Sequence, residues 1–242
     1  MKKFQKLEAD NLNFLGKKIM IIAAHPDDDI LGCGGLLAKL KNKSCEIKVI
    51  FIGEGSSCRY KDKDKKNIIE KETIKRNNYA NSALKYLGIN KPSFHNLKCG
   101  CFDTYPLINI GKIIESEIVS FKPQTIFTHS ETDLNNDHKI TYQSTLQATR
   151  PAALNYVKNL FSYEVISSSE WNFGNSFKPN YFVSLSKKDL DKKIRAFEYY
   201  LSEIKNYPNA RSINSIEILA RYRGIQSGQE FCESFKLIRS LP

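Results

Sequence analysis

Residues 18–37, KIMIIAAHPDDDILGCGGLL, change character twice in quick succession. Ile19 to Ala24 is a short apolar run rich in Ile, the pattern of a strand buried on both faces. It breaks into His25-Pro26-Asp27-Asp28-Asp29, and then Ile30, Leu31, a Gly-rich turn of helix and Leu36, Leu37 and Leu40 follow at helical spacing. A strand ends, polar groups gather and a helix begins. In an open α/β sheet, ligands bind just past the carboxyl ends of the strands. An imidazole and three carboxylates at such a place mark a candidate site.

The rest of the chain repeats this alternation. Strands are expected at 46–52 (EIKVIFI), 94–97, 125–128 (TIFT), 160–165 (LFSYEV) and 181–185 (YFVSL). Helices are expected at about 30–41, 61–88, 110–121, 138–149, 189–204 and 216–235, the last kinked at Gly224 or Gly228. The helix over 61–88 carries Ile74, Tyr79, Ala83, Leu84 and Leu87 as its apolar stripe and stops at Gly88, a C′ glycine. Residues 1–17 are a lead-in, with Leu12, Phe14 and Leu15 packing on the sheet. Gly53–Ser57 reads as a flexible loop at the end of the second strand. Strands alternating with helices imply a Rossmann-like α/β fold, a mostly parallel sheet with helices on both faces. With no internal repeat and no Pro/Ser-rich linker, residues 1–242 read as one domain.

Composition narrows the class of protein. A 41% share of hydrophobic residues is ordinary for a soluble globular chain. No apolar run approaches the roughly 18 residues of a membrane helix. The basic N-terminus has no apolar segment after it, so it is not a secretory signal, and a cytoplasmic location is expected. The net charge of +11 raises the question of nucleic acid. Its densest cluster, Lys61–Lys66, is interrupted by Asp, as in a solvated loop. No Arg–aromatic interleaving of the single-strand-binding kind accompanies it, so no nucleic-acid partner is expected. The six cysteines form no CxxC and no regular framework, so they are read as reduced. The close pair Cys99-Gly-Cys101 supplies too few ligands for a metal site. The composition is compatible with a homo-oligomer.

His25 and Asp28 lie three residues apart across a proline, so a tight turn can aim both at one ion. A catalytic metal site takes three protein ligands and an open position. The third is expected from another loop on the same sheet edge, and His138, beyond the TIFT strand, is the candidate. His/Asp/His suits Zn²⁺, or Fe²⁺ under reducing conditions. Asp27 is left beside the ligands as a general base for hydrolysis of an amide or ester, the ion lowering the pKa of a water toward about 7. Simpler readings stand beside these. Pro and Asp are common turn formers, His138 is placed to begin a helix, Asp29 suits a helix N-terminus, His129 suits a core histidine, and His95 is read as structural.

Two stretches also resemble a known family. AAHPDDDILGCGG resembles the AHPDDE signature of the LmbE-like (PIG-L) zinc-dependent N-deacetylases, and THSETDLNNDHKITYQ resembles their second motif, which ends in DH. FSYEVISSSEWN, PNYFVSL, KKIRAFEYYLSEI, ARS and RYRGIQSGQEFCESF resemble later segments of a bacterial branch, so the likeness runs from about residue 18 to 235. The resemblance implies a Rossmann-like fold and removal of an N-acetyl group from an acetamido-sugar conjugate, a glycan, nucleotide-sugar or glycolipid precursor. It implies His25, Asp28 and His138 as metal ligands and Asp27 as base. The chain departs from the pattern twice: Asp29 replaces Glu, and Asn135 stands where many members carry an assisting histidine. Asp27 acting in reverse, with His129 or Asp133 nearby, is the expected substitute. Arg59, Arg76 and Trp171 are candidate substrate contacts, and so are Glu170 and Arg211, though a salt bridge within the protein is the simpler reading of Arg59 and Arg76, and Trp171 suits the core as well as a sugar face. The competing functions are another amide or ester hydrolase, a disabled sugar-binding relative and a charge-driven nucleic-acid binder.

Overall fold

A computed structural model describes residues 12–41, 43–61 and 66–242 of the chain. Most of residues 1–17 and of the Lys61–Lys66 cluster therefore lie outside the described residues. Seven strands form one sheet in the order β3-β2-β1-β4-β5-β7-β6. They are β1 (Lys18–Ala23), β2 (Glu46–Gly53), β3 (Ser93–Leu97), β4 (Thr125–His129), β5 (Asn159–Tyr163), β6 (Tyr181–Leu185) and β7 (Phe231–Ser240). Strands β1 to β5 pair in parallel, whereas β7 runs antiparallel to both β5 and β6.

The apolar run after Lys18 explains the layering. Side chains alternate across a strand, so Ile19, Ile21 and Ala23 join one core, and Met20, Ile22 and Ala24 join the other. The first core is closed by α1 (Asp28–Leu40), α2 (Lys66–Tyr86), α5 (Lys187–Phe197) and α6 (Ile213–Ser227), and the second by α3 (Leu107–Phe121) and α4 (Asn136–Ala148). The expected α/β architecture is the one found. Leu12 and Leu15 are buried in the first core, and Phe14 sets its ring edge-on against Phe161 and Tyr181.

Three expectations need correction. The helix expected over 216–235 stops at Ser227, where Gly228 takes φ +70° as its cap, and the chain returns as β7. Phe231, Glu233 and Phe235 are buried on a strand that inserts between β5 and β6. The apolar spacing mimicked a helix, but a glycine in the left-handed region ends one. Helix α5 ends at Phe197 rather than 204, and turns carry the chain on to Glu203. Ile74 lies on the solvent side of α2, 54% exposed, while Ala83, Leu84 and Leu87 are buried.

Helix α1 is fixed to the sheet with unusual closeness. A Cβ at Gly32 would lie 2.2 Å from the Tyr163 ring, so the glycine lets α1 settle on β5. In mid-helix the Gly35 and Leu36 amides donate to Glu233 at 2.7 and 2.6 Å, and Lys193 donates to the Leu31 carbonyl and to Glu233. A buried ion pair from α5 and β7 thus grips the helix that begins at the polar cluster.

Candidate active site

The chain order reverses between β1 and β4: β2 and β3 continue on one side, β5 on the other. Such a switch point opens a crevice at the carboxyl ends of the two strands. His25 follows β1, and His138 lies in the first turn of α4 after β4. The loop after β1 is closed reciprocally: the His25 amide donates to Asp28 Oδ2 at 2.8 Å, and the Asp28 amide donates to the His25 carbonyl at 3.2 Å. Asn135 caps α4 by accepting from the Asp137 amide at 2.9 Å. Asn135 is thus tied up as the N-cap of α4.

His25, Asp28 and His138 are all buried and offer ligand atoms within 4.8 Å of one another. His25 Nδ1 and His138 Nε2 lie 3.5 and 3.3 Å from Asp28 Oδ2. Metal bonds of about 2.0–2.1 Å at a tetrahedral angle place neighbouring ligand atoms about 3.3–3.4 Å apart, so the set fits a zinc-sized ion. Asp28 Oδ1 has no hydrogen-bond partner among the described residues, which suits a carboxylate whose partner is a cation.

The outer nitrogens are held by carboxylates. His25 Nε2 meets Asp137 Oδ2 at 2.9 Å, and His138 Nδ1 meets Asp133 Oδ2 at 3.1 Å. Asp137 also accepts from the amides of Gly100 and Phe102, and Asp133 from the hydroxyls of Ser168 and Ser169. Such partners fix the ring orientation and tautomer of a metal-binding histidine. Burial works against the charge on His138, but the carboxylates of Asp28 and Asp133 outweigh it and raise its pKa to about 10. Burial raises Asp28 as well, yet the charge and hydrogen bond of His138, with His25, hold it well below the usual range. The site is thus built around a compensating positive charge.

Asp27 is fully buried, with φ +110°, a left-handed conformation that a non-glycine residue adopts at a cost of roughly 1–3 kcal/mol. Arg76 and Arg211 approach its two oxygens at 3.3 and 2.9 Å, in ion-pair contact but not aligned for hydrogen bonds. Burial pushes its pKa up, and the Arg211 and Arg76 charges pull it back to about 6. Behind it, Glu203 accepts from Arg59, Arg76 and Arg211. The Gly53–Ser57 loop, expected to be flexible, is pinned: Glu54 accepts from the amides of Ser56, Ser57 and Cys99. Gly55 has φ +73°, and a Cβ there would lie 3.0 Å from His25 Cβ and 3.1 Å from Arg76 Cζ.

The other sequence candidates fall into place around this centre. His129 is a core histidine: its Nε2 accepts from the Ala24 amide at 2.8 Å, its ring stacks on His138, and burial with the His138 charge keeps it neutral. Asp133 stays ionised, because His138 outweighs its burial. Arg59 and Arg76 have their guanidinium groups engaged within the protein. Asp29 sits in the first turn of α1 as expected, and burial with the Asp27 charge raises its pKa to about 8. Trp171 is 54% exposed beside Ser168 and Ser169, the residues that hold Asp133. Glu170 accepts from the Ser167 amide in the same loop. His95 pairs with Glu117 at 3.0 Å, a structural contact. Asp137 and Glu203 were not foreseen. Asp137 had a signal in its place directly before His138, whereas Glu203 had none.

Comparison with known proteins gives the family and the fold. A family model described as PIG-L: GlcNAc-PI de-N-acetylase matches residues 20–149. An Escherichia coli (strain K12) protein called uncharacterized deacetylase YaiS is 28% identical over 190 residues, 77% of this chain and 91% of its own. Among solved structures, N,N'-diacetylchitobiose deacetylase from Pyrococcus horikoshii superposes with a TM-score of 0.72 at 18% identity, covering 95% of this chain and 86% of that one. GalB, a 4-carboxy-2-hydroxymuconate hydratase from Pseudomonas putida KT2440, gives 0.73 at 16% identity, covering 93% and 98%. At these identities the structures share the fold.

Proposed function

Because this chain belongs to the PIG-L family, we propose that it is a metal-dependent deacetylase removing the N-acetyl group of an amino-sugar conjugate. The substrate class is a glycan, nucleotide-sugar or glycolipid precursor. The carrying observation is the inward convergence of His25, Asp28 and His138, with Asp137 and Asp133 behind the two imidazoles. In this reading the three hold Zn²⁺, or Fe²⁺ under reducing conditions. A bound cation supplies Lewis acidity, lowering the pKa of a water and polarising the amide carbonyl.

The chain's own residues do the rest. Asp27 accepts the proton of the attacking water, with Arg76 and Arg211 fixing its carboxylate. Asn135 has no acidic proton to give, and His129 is committed to the Ala24 amide. Asp27 therefore returns the proton to the leaving amine. Trp171 offers an apolar ring face to a sugar. No helix among the described residues is long and apolar enough to cross a membrane.

The test is acetate release from a panel of acetamido sugars, with and without a chelator. Asp27→Asn should keep its metal and lose turnover by about 10²–10⁴-fold, while His138→Ala should lose both. Full turnover after metal stripping, or equal metal loss in the two variants, would defeat these roles. GalB shows that the fold also carries a hydratase, so the panel includes an ester and an unsaturated carboxylic acid; turnover of those alone would move the chain to that chemistry.

A further inference from the structure

Cys58 and Cys99 lie 41 positions apart in the chain, yet their sulfurs are 3.2 Å apart. Cys58 is exposed in the loop after β2, and Cys99 is buried in the loop after β3. The backbone holds them face to face. Gly100 has φ +73°, and a Cβ there would lie 3.1 Å from Cys58 Cβ. Glu54 ties the two loops together by accepting from the amides of Ser57 and Cys99. The buried Cys99 thiol donates to the exposed Cys58 sulfur, so Cys58 is the sulfur that an oxidant in solution reaches first. An exposed sulfur in its thiolate form is the nucleophilic one.

These loops lead straight to the metal site. Gly100 and Phe102, which flank Cys101 just after Cys99, donate their amides to Asp137 at 2.6 and 3.1 Å, and the same Asp137 meets His25 Nε2 at 2.9 Å. We propose that Cys58 and Cys99 form an oxidisable dithiol that closes to a disulfide on reaction with a hydroperoxide and thereby weakens metal binding at the neighbouring site. The coupling rests on the reading of His25 as a metal ligand. The Cys58 sulfur attacks a peroxide oxygen, the O–O bond breaks, and hydroxide leaves a sulfenic acid behind. The Cys99 sulfur then attacks Cys58, the S–O bond breaks, and water leaves with the Cys99 proton. Two thiols lose two electrons to one hydrogen peroxide, which leaves as two waters. Closing the sulfurs from 3.2 Å to about 2.05 Å draws the loops together, and the Gly100–Phe102 segment carries that shift to Asp137.

The experiment oxidises the zinc-loaded full chain with equimolar hydrogen peroxide. It maps cross-linked peptides by mass spectrometry and measures zinc affinity by competition with a chromophoric chelator, before and after dithiothreitol. The expected result is a Cys58–Cys99 cross-link and a fall in affinity of about tenfold, the scale for disturbing a residue behind a metal ligand, reversed by reduction. Cys58→Ser should bind zinc normally and ignore peroxide, and Cys101→Ser should still cross-link. A cross-link through Cys101, overoxidation of Cys58 with no cross-link, or a disulfide that leaves zinc affinity unchanged would each overturn the proposal. A reduced protein that binds no zinc defeats the metal reading and the coupling with it, whereas mass alone still decides the dithiol.

Discussion

Asp137 is the residue whose replacement tests the site most directly, because it stands behind His25 and should control the metal through it. Its two oxygens serve three donors: His25 Nε2 at 2.9 Å and the amides of Gly100 and Phe102 at 2.6 and 3.1 Å. Asp137→Asn keeps the size but leaves a single acceptor oxygen, so at least one donor must face an NH₂ group. Leaving a buried donor unpaired costs about 1–3 kcal/mol, and the loss of charge weakens the remaining bonds further. Part of this falls on folding and part on metal binding, where losing an orienting partner costs about 10–100-fold in affinity. That range equals roughly 1.4–2.7 kcal/mol, in line with the loss of one such bond. The assay is zinc competition against a chromophoric chelator on protein shown to be folded by its melting curve. Glu117→Gln is the control, because Glu117 pairs with His95 at 3.0 Å in a similar contact away from the site. A folded Asp137→Asn protein that binds zinc within a factor of about two of the wild type would falsify the orienting role, since any supporting partner should exceed that.

Asp133→Asn should lower zinc affinity by a similar factor, about tenfold, because Asp133 holds His138 Nδ1 at 3.1 Å; the same competition assay checks it. Glu203 should give the protein a distinct acid limb: burial raises its pKa, but Arg59, Arg76 and Arg211 together hold it at about 2, against 4.5 for a free glutamate. A depressed folded-state pKa contributes stability in full above 4.5 that disappears as pH falls from there toward 2, here about 3 kcal/mol. Urea melts between those pH values should show this slope in the wild type and a shallower one in Glu203→Gln; parallel curves would mean that Glu203 does not supply it. Gly32→Ala should destabilise by about 1–3 kcal/mol through overpacking, since its Cβ would meet the buried Tyr163 ring at 2.2 Å; an unchanged melting temperature would show that α1 can lift off β5 freely.

The fold could be read from the sequence wherever a period was strict and a stop signal stood beside it. The run Ile19–Ala24 is buried on both faces, and that is the signature it carried. Segment 216–235 misled because Ile216 and Ala220 do lie on a helix, while Phe231 to Phe235 are buried without a break on a strand that is covered on both faces. Gly228 separates the helix from the strand. At the site, His25, Asp28 and His138 stood out because the first two lie three residues apart just beyond one strand and the third just beyond another, in stretches that resemble the family's two motifs. Their supporting partners were hidden for the opposite reason. Asp137 looks like any acidic residue in the first turn of a helix, and Glu203 like any glutamate in a charged segment. The Cys58–Cys99 contact depends on how two loops fold together, and the sequence displays only the uninformative Cys99–Cys101 spacing.

Where these partners lie along the chain also bears on how the site is built. The segment shared with the family, residues 20–149, contains His25, Asp27, Asp28, Asp133, Asp137 and His138. It contains Arg59 and Arg76 as well, but not Glu203, which binds both, nor Arg211, which reaches Asp27 at 2.9 Å. It also lacks Lys193 and Glu233, which grip the middle of α1. The proposed metal ligands thus all lie within the shared segment, while the charge around the proposed base depends on the remainder. Substitutions at Arg211 or Glu203 should therefore change turnover while zinc affinity stays near the wild-type value. Substitutions at Asp133 or Asp137 should change zinc affinity first. If Arg211→Met lost zinc as severely as Asp137→Asn, base and metal would form one indivisible unit, and this separation of roles would be wrong.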